Sequence, residues 1–80
     1  MRANEIIRKV MEIKEVKPSV LAARLNIKNN VLSERLGQKN ISTDKLNEML
    51  QVMDYKIMVV PREARVPDGS FVIDKGDLVE

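Results

Sequence analysis

The stretch KPSVLAARLNIKNNVLSERLG, residues 17–37, decides the fold. Proline disfavours a helical residue before it but suits the first turn of a new helix, so Lys17-Pro18 starts one rather than ending it. Leu21, Ala22 and Leu25 then fall on one face of a short helix from Pro18 to Leu25. Asn26 tolerates the left-handed conformation that a tight connection between helices requires. After Ile27 a further helix is predicted from about Lys28 to Leu36, with Val31, Leu32 and Leu36 apolar and Gly37 as its stop. Ala22 is small where two helices would cross closely, Ile27 would plug the core, and Leu32 would lock the second helix onto the first. Two short helices joined by a three-residue turn in this way form a helix-turn-helix pattern. The outward side of residues 28–34 is left free to enter a major groove.

Working outward, residues 4–16 place Ile6, Val10 and Ile13 beside Ile7 and Met11, the spacing of one helical face, with Asn4 as the expected N-cap. Residues 38–41 read as a loop. Ser42 is expected to cap a helix from Thr43 to Met53, with Asp44 in its positive first turn and Leu46, Met49, Leu50 and Met53 as its stripe. Tyr55-Lys56-Ile57-Met58-Val59-Val60 is aromatic and β-branched and is closed by Pro61, so a strand is expected there. Pro67-Asp68-Gly69 signals a turn before a second short strand over Ser70–Ile73. Apolar residues fall on both faces of the first strand, and four helices can cover only one of them. The predicted fold is mainly α: four helices with a short C-terminal β-hairpin or dimerising strands. It divides into residues 1–54 (helical domain), 55–74 (strand extension) and 75–80 (flexible tail).

Composition narrows the chemistry. Eighty residues allow one small domain, which buries only about 60% of its unfolded surface and gains from a disulfide, a metal or a partner. The chain has no cysteine and no histidine, which removes disulfides, nearly all metal sites, and Ser-His or Cys-His catalysis. No carboxylates and lysines group as a catalytic pair, so neither an enzyme nor a cofactor is expected. Cysteine-free composition fits the cytoplasm, and no stretch approaches the roughly 18 apolar residues of a membrane span. Tyr55 and Phe71 are the only aromatics, too few for single-strand stacking platforms. Residues 1–62 hold twelve Lys/Arg and seven Asp/Glu (12 − 7 = +5), whereas residues 63–80 hold two and five (2 − 5 = −3). A basic segment before an acidic one suggests an anionic partner for the former, although an ordinary solvated surface has the same appearance.

With these residues in view, the chain resembles the Cro/cI-type (XRE-like) phage-repressor family, whose members have a lambda-repressor-like four-helix domain. The likeness runs through LSERLGQKNISTDKLNEMLQVMDYKIMVV, where a fourth helix passes through a Met-Asp-Tyr junction into a strand, and covers about residues 4–60. Residues 61–80 have no counterpart. The resemblance implies a homodimeric, sequence-specific regulator of transcription that binds double-stranded DNA, a repressor of a phage, prophage or mobile element, with a palindromic operator.

It also implies positions. Base readout falls on Lys28, Asn29 and Asn30, and one turn further on Ser33 and Glu34. Asparagine can pair bidentately with adenine, lysine can reach guanine acceptors, and glutamate can accept from cytosine. The competing reading makes Asn29 or Asn30 the cap of the third helix, and Glu34 a solvated group or a partner of Lys28 or Gln38. Phosphate contacts fall on Lys17 and Ser19, on Lys39 and Asn40, and on the basic side chains Arg24 and Arg35. Two departures stand out: Pro18 occupies a position where relatives carry a phosphate-binding glutamine, and Arg35 one that is often apolar. Dimerisation is expected through Tyr55, Ile57, Met58, Val59, Val60, Phe71 and Ile73, the rival being an intramolecular hairpin over the helices. An alternative keeps the fold without the DNA: a protein-interaction module, an antitoxin or nuclease inhibitor, with acidic residues 63–80 contacting a protein partner.

Overall fold

The computed structural model describes residues 1–74 and contains four helices: α1 (Ala3–Lys14), α2 (Pro18–Leu25), α3 (Asn29–Gly37) and α4 (Thr43–Gln51). Most buried positions follow the sequence spacing: Ala3, Ile6, Ile7, Val10 and Met11 on α1, Leu21 and Ala22 on α2, Leu32 and Leu36 on α3, and Leu46, Met49 and Leu50 on α4, whereas Ile13, expected on the apolar face of α1, is exposed near the end of that helix. Ser42 caps α4 as expected, its Oγ accepting the Lys45 N–H at 3.3 Å. α1 starts one residue before the expected cap, and the Asn4 carboxamide instead reaches across the fold. Among the described residues no helix is long and apolar enough to cross a membrane.

Three connections share one local solution. Glu15, Asn26 and Asp54 each adopt left-handed φ, at 54°, 57° and 63°. The next residue in each case sends its N–H back five positions: Val16 to Met11 O at 2.8 Å, Ile27 to Ala22 O at 3.0 Å, Tyr55 to Leu50 O at 3.0 Å. This arrangement satisfies helix-end carbonyls and turns the chain sharply. It also drops Val16, Ile27 and Tyr55 onto the core immediately after each reversal. The alternation of a polar left-handed residue with an apolar plug is what packs three helix ends so tightly in so short a chain.

α1 and α2 both pack against α3 and α4. Ile7, Val10, Leu21, Leu32, Met49 and Met53 are the largest fully buried side chains, so every helix, together with the turn after α4, contributes to one core. The C-terminal end of α3 is tied to α1 by polar bonds as well. The Leu36 carbonyl accepts from Asn4 Nδ2 at 3.1 Å and from Arg8 Nη2 at 3.0 Å. These donors satisfy a helix-end carbonyl that has no intrahelical partner. They fix α3 against α1 at the end away from its exposed N-terminal residues.

The expected strands do not form. Among the described residues there is no strand, and 55–60 and 70–73 do not pair with each other. The Pro67-Asp68-Gly69 turn is present, with Gly69 at φ 87° and Ser70 donating both its N–H (3.2 Å) and its hydroxyl (2.6 Å) to Pro67 O. Beyond it the chain crosses to the opposite terminus. Met1 N donates to Val72 O at 3.1 Å and Asp74 N donates to Met1 O at 2.9 Å, two backbone bonds that bracket Ile73. The physical reason is that an isolated two-stranded hairpin is marginal in water. Crossing to Met1 instead lets Phe71 pack on the helical core while its neighbours find backbone partners.

The expectation that the helices cover one face of residues 55–60 is corrected in the same way. Tyr55 is half-buried against the core, with the Lys14 ammonium 5.9 Å from its ring centroid. Ile57, Met58, Val59 and Val60 are all exposed, Val59 at 98%. Of the seven residues expected in a dimer interface, Tyr55 and Phe71 are half-buried against their own helices, and Ile57, Met58, Val59, Val60 and Ile73 are exposed at the surface. Residues 75–80, expected as a flexible tail, lie outside the described residues.

Candidate nucleic-acid interface

The interface candidate is built on the first two turns of α3. Successive helical residues step by about 100°, so Leu32 and Leu36, which enter the core, fix the direction of all the others. By that stepping Ser33, Asn30 and Glu34 turn progressively away from Leu32 and Leu36, whereas Asn29, three residues before Leu32 and seven before Leu36, starts on their side of the helix and is exposed in its first turn. All four are exposed, as is Lys28. The five sequence-predicted base-reading residues are thus all exposed at the N-terminal end of α3.

The capping alternative for the asparagines is not what the structure adopts. Lys28 is the N-cap residue of α3, extended at φ −76° and ψ 152°, and its carbonyl accepts the Leu32 N–H at 3.1 Å. Asn29 and Asn30 are the first two helical residues. Neither carboxamide has a hydrogen-bond partner among the described residues. Their backbone N–H groups belong to the helix end that has no intrahelical acceptor, where the aligned peptide dipoles leave a partial positive charge. Two free carboxamides, one ammonium, one hydroxyl and one carboxylate on such a surface can donate to and accept from base edges. An α-helix, about 10–12 Å across with its side chains, fits a major groove about 12 Å wide.

The candidate phosphate contacts divide into two groups. Lys17 and Ser19 are exposed at the start of α2, where Lys17 is the N-cap residue and the first turn carries no acidic side chain. Lys39 and Asn40 are exposed in the loop between α3 and α4. Arg24 and Arg35 are occupied within the fold. Arg24 Nη1 donates to Val52 O at 3.1 Å, bonding α2 to the end of α4. Arg35 is turned between α3 and α4, its side chain 16% exposed and its Nη1 3.6 Å from Glu48 Oε1. That nitrogen is buried and makes no hydrogen bond.

Sequence reasoning missed Arg2. Its Nη2 donates to Asn40 Oδ1 at 2.9 Å, which carries the basic edge from the α3–α4 loop to the start of α1. Arg2, Lys39, Asn40, Ile73 and Asp74 line one shallow cleft there. No local signal marks Arg2, because its position beside Asn40 depends on how α1 packs against α3.

Compared with protein-family models, curated proteins and solved structures, the chain gives no match.

Proposed function

We propose that this chain is a sequence-specific double-stranded DNA-binding regulator of transcription, a cytoplasmic homodimer with a lambda-repressor-like helix-turn-helix domain. The observation that carries the reading is the uncommitted face of α3: Lys28, Asn29, Asn30, Ser33 and Glu34 are exposed together, and both asparagine carboxamides are free. One residue earlier either asparagine would have capped the helix; as its first two residues they are left to hydrogen-bond with water or with a partner. Lys17, Ser19, Lys39 and Asn40, all exposed, supply sequence-independent phosphate contacts. In this reading the protein represses by occlusion, lying over a promoter of a phage, prophage or mobile element, and does no chemistry of its own.

Dimerisation rests on a second observation, the exposed run Ile57–Val60. Four consecutive exposed apolar residues are an association surface, and an unpaired extended segment can pair with its two-fold mate. A dimer would place the two copies of α3 about 34 Å apart and read a palindrome with half-sites one helical turn apart. The same apolar run favours one alternative, a protein-interaction module of the antitoxin or nuclease-inhibitor kind, in which that segment and acidic residues 63–80 contact another protein.

Selection of binders from a randomised duplex pool tests the reading, run with wild type and an Asn29→Ala/Asn30→Ala variant. A short palindrome enriched by wild type alone is the expected result. No enrichment by folded wild type transfers the assignment to the protein-partner alternative.

A further inference from the structure

The cleft at the start of α1 carries a mixed charge that the proposed function does not use. On one side stand Arg2, Lys39 and Asn40, the basic and amide groups of the phosphate-binding edge. On the other stands Asp74, from the acidic end of the sequence. Two backbone bonds, Met1 N to Val72 O and Asp74 N to Met1 O, hold residues 72–74 against the N-terminal residue. The position of Asp74 therefore rests on the main chain as well as on its carboxylate, whose Oδ1 is 2.8 Å from the Met1 ammonium. An anionic oxygen group, paired with the Met1 ammonium, thus lines the same small cleft as Arg2, Lys39 and the Asn40 amide, which would face a DNA backbone.

We propose that Asp74 acts as an intramolecular stand-in for a backbone phosphate, screening Arg2 and Lys39 and lowering the affinity of the chain for duplex DNA. The proposal rests on the DNA-binding reading above and adds Arg2 to the phosphate edge. Asp74 is half-exposed, at 52% of its side chain, so it can yield to a phosphate that reaches the cleft. Each phosphate then meets a site already part-neutralised, and the counterions that Arg2 and Lys39 would release are fewer. The consequence is a protein whose non-specific binding is held down by its own C-terminal segment. The sequence beyond Asp74 adds Asp77 and Glu80 against Lys75, so its charge has the same sign.

The test is fluorescence anisotropy with a labelled 20-base-pair duplex of random sequence between about 50 and 200 mM salt, the range over which phosphate contacts are read. Asp74→Asn is expected to bind about three-fold tighter at the lower salt and to steepen the logarithmic salt slope by about 0.9, the signature of one recovered phosphate contact. Asp68→Asn removes the same charge from an exposed turn away from the cleft and is expected to give less than half that gain. Arg2→Gln is expected to abolish the gain when combined with Asp74→Asn. Equal gains from Asp74→Asn and Asp68→Asn would reduce the effect to net charge and overturn the proposal. A gain that persists without Arg2 would also overturn it, as would an Asp74→Asn variant indistinguishable from a wild type that binds. If folded wild type and Asp74→Asn both leave the duplex free at the lower salt, the DNA-binding reading itself fails and takes this one with it.

Discussion

Replacing Arg35 with leucine separates a packing role from a DNA-contact role at one position. The Arg35 side chain is 16% exposed, and its Nη1 is buried with no hydrogen bond. A buried, unsatisfied donor costs about 1–3 kcal/mol, more when it is charged. Against this stands one ion pair at 3.6 Å to Glu48, whose side chain is 57% exposed. A pair so open to solvent contributes at most about 1 kcal/mol, and salt screens it further. Leucine keeps the apolar stem against α4 and removes the unsatisfied group, so the variant should be about 1 kcal/mol more stable. For a domain of this length that is a rise in Tm of about 4–8 °C, read by circular dichroism. Affinity for a selected operator and its salt slope should stay at the wild-type values, because Arg35 is turned between helices and not toward the face of Asn29 and Asn30. A drop in Tm would refute the packing argument. Unchanged stability with a salt slope shallower by about 0.9 would return Arg35 to the phosphate contacts.

Other outcomes follow from the same geometry. Asn29→Ala or Asn30→Ala should cost about 1–3 kcal/mol per half-site on a selected palindrome while leaving binding to a scrambled duplex almost unchanged, and equal loss on both would contradict base reading. Neither change should lower Tm, since neither carboxamide has an intramolecular partner. Lys39→Ala should weaken all duplexes alike and flatten the salt slope by about 0.9. Leu32→Ala, at a fully buried site where α3 meets the core, should cost about 2–5 kcal/mol by thermal or urea unfolding. Ile57→Lys should leave the fold intact, the residue being exposed, and convert a dimer to a monomer in analytical ultracentrifugation; an unaltered folded dimer would remove that segment from the interface.

The helix-turn-helix region was the most legible part of the chain. Pro18 and Asn26 are residues whose backbone preferences act within a few positions, and α2 runs from Pro18 to Leu25 as the spacing alone predicts; Gly37, expected as a stop, is instead the last residue of α3, with extended Gln38 as the cap. The exposed face of α3 is legible for a related reason: once Leu32 and Leu36 are buried, helical geometry leaves Asn30, Ser33 and Glu34 outside, and Asn29, on the side of Leu32, is exposed because it opens the helix. Where the reading failed, local preference met a tertiary alternative. The β-branched run at 56–60 has strand character and no strand beside it, since Phe71 and its neighbours pack elsewhere. Tyr55 looked like the first residue of that strand, but the left-handed turn at Asp54 directs it onto the helices.

The roles of the basic side chains divide in the same way. Sequence assigns Lys17, Arg24, Arg35 and Lys39 the same charge and hence the same capacity for phosphate. The fold turns Arg35 inward toward Glu48, ties the exposed Arg24 to the Val52 carbonyl, and leaves the other two outside. It then recruits Arg2, 38 residues from Asn40 in the chain, to the same edge. Helix positions, caps and the outward face of α3 are set by interactions that close within one or two turns, so the sequence alone determines them. Which cations remain free, where residues 71–74 dock and which apolar residues are left uncovered are decided only by tertiary packing, because each depends on groups that meet across tens of residues.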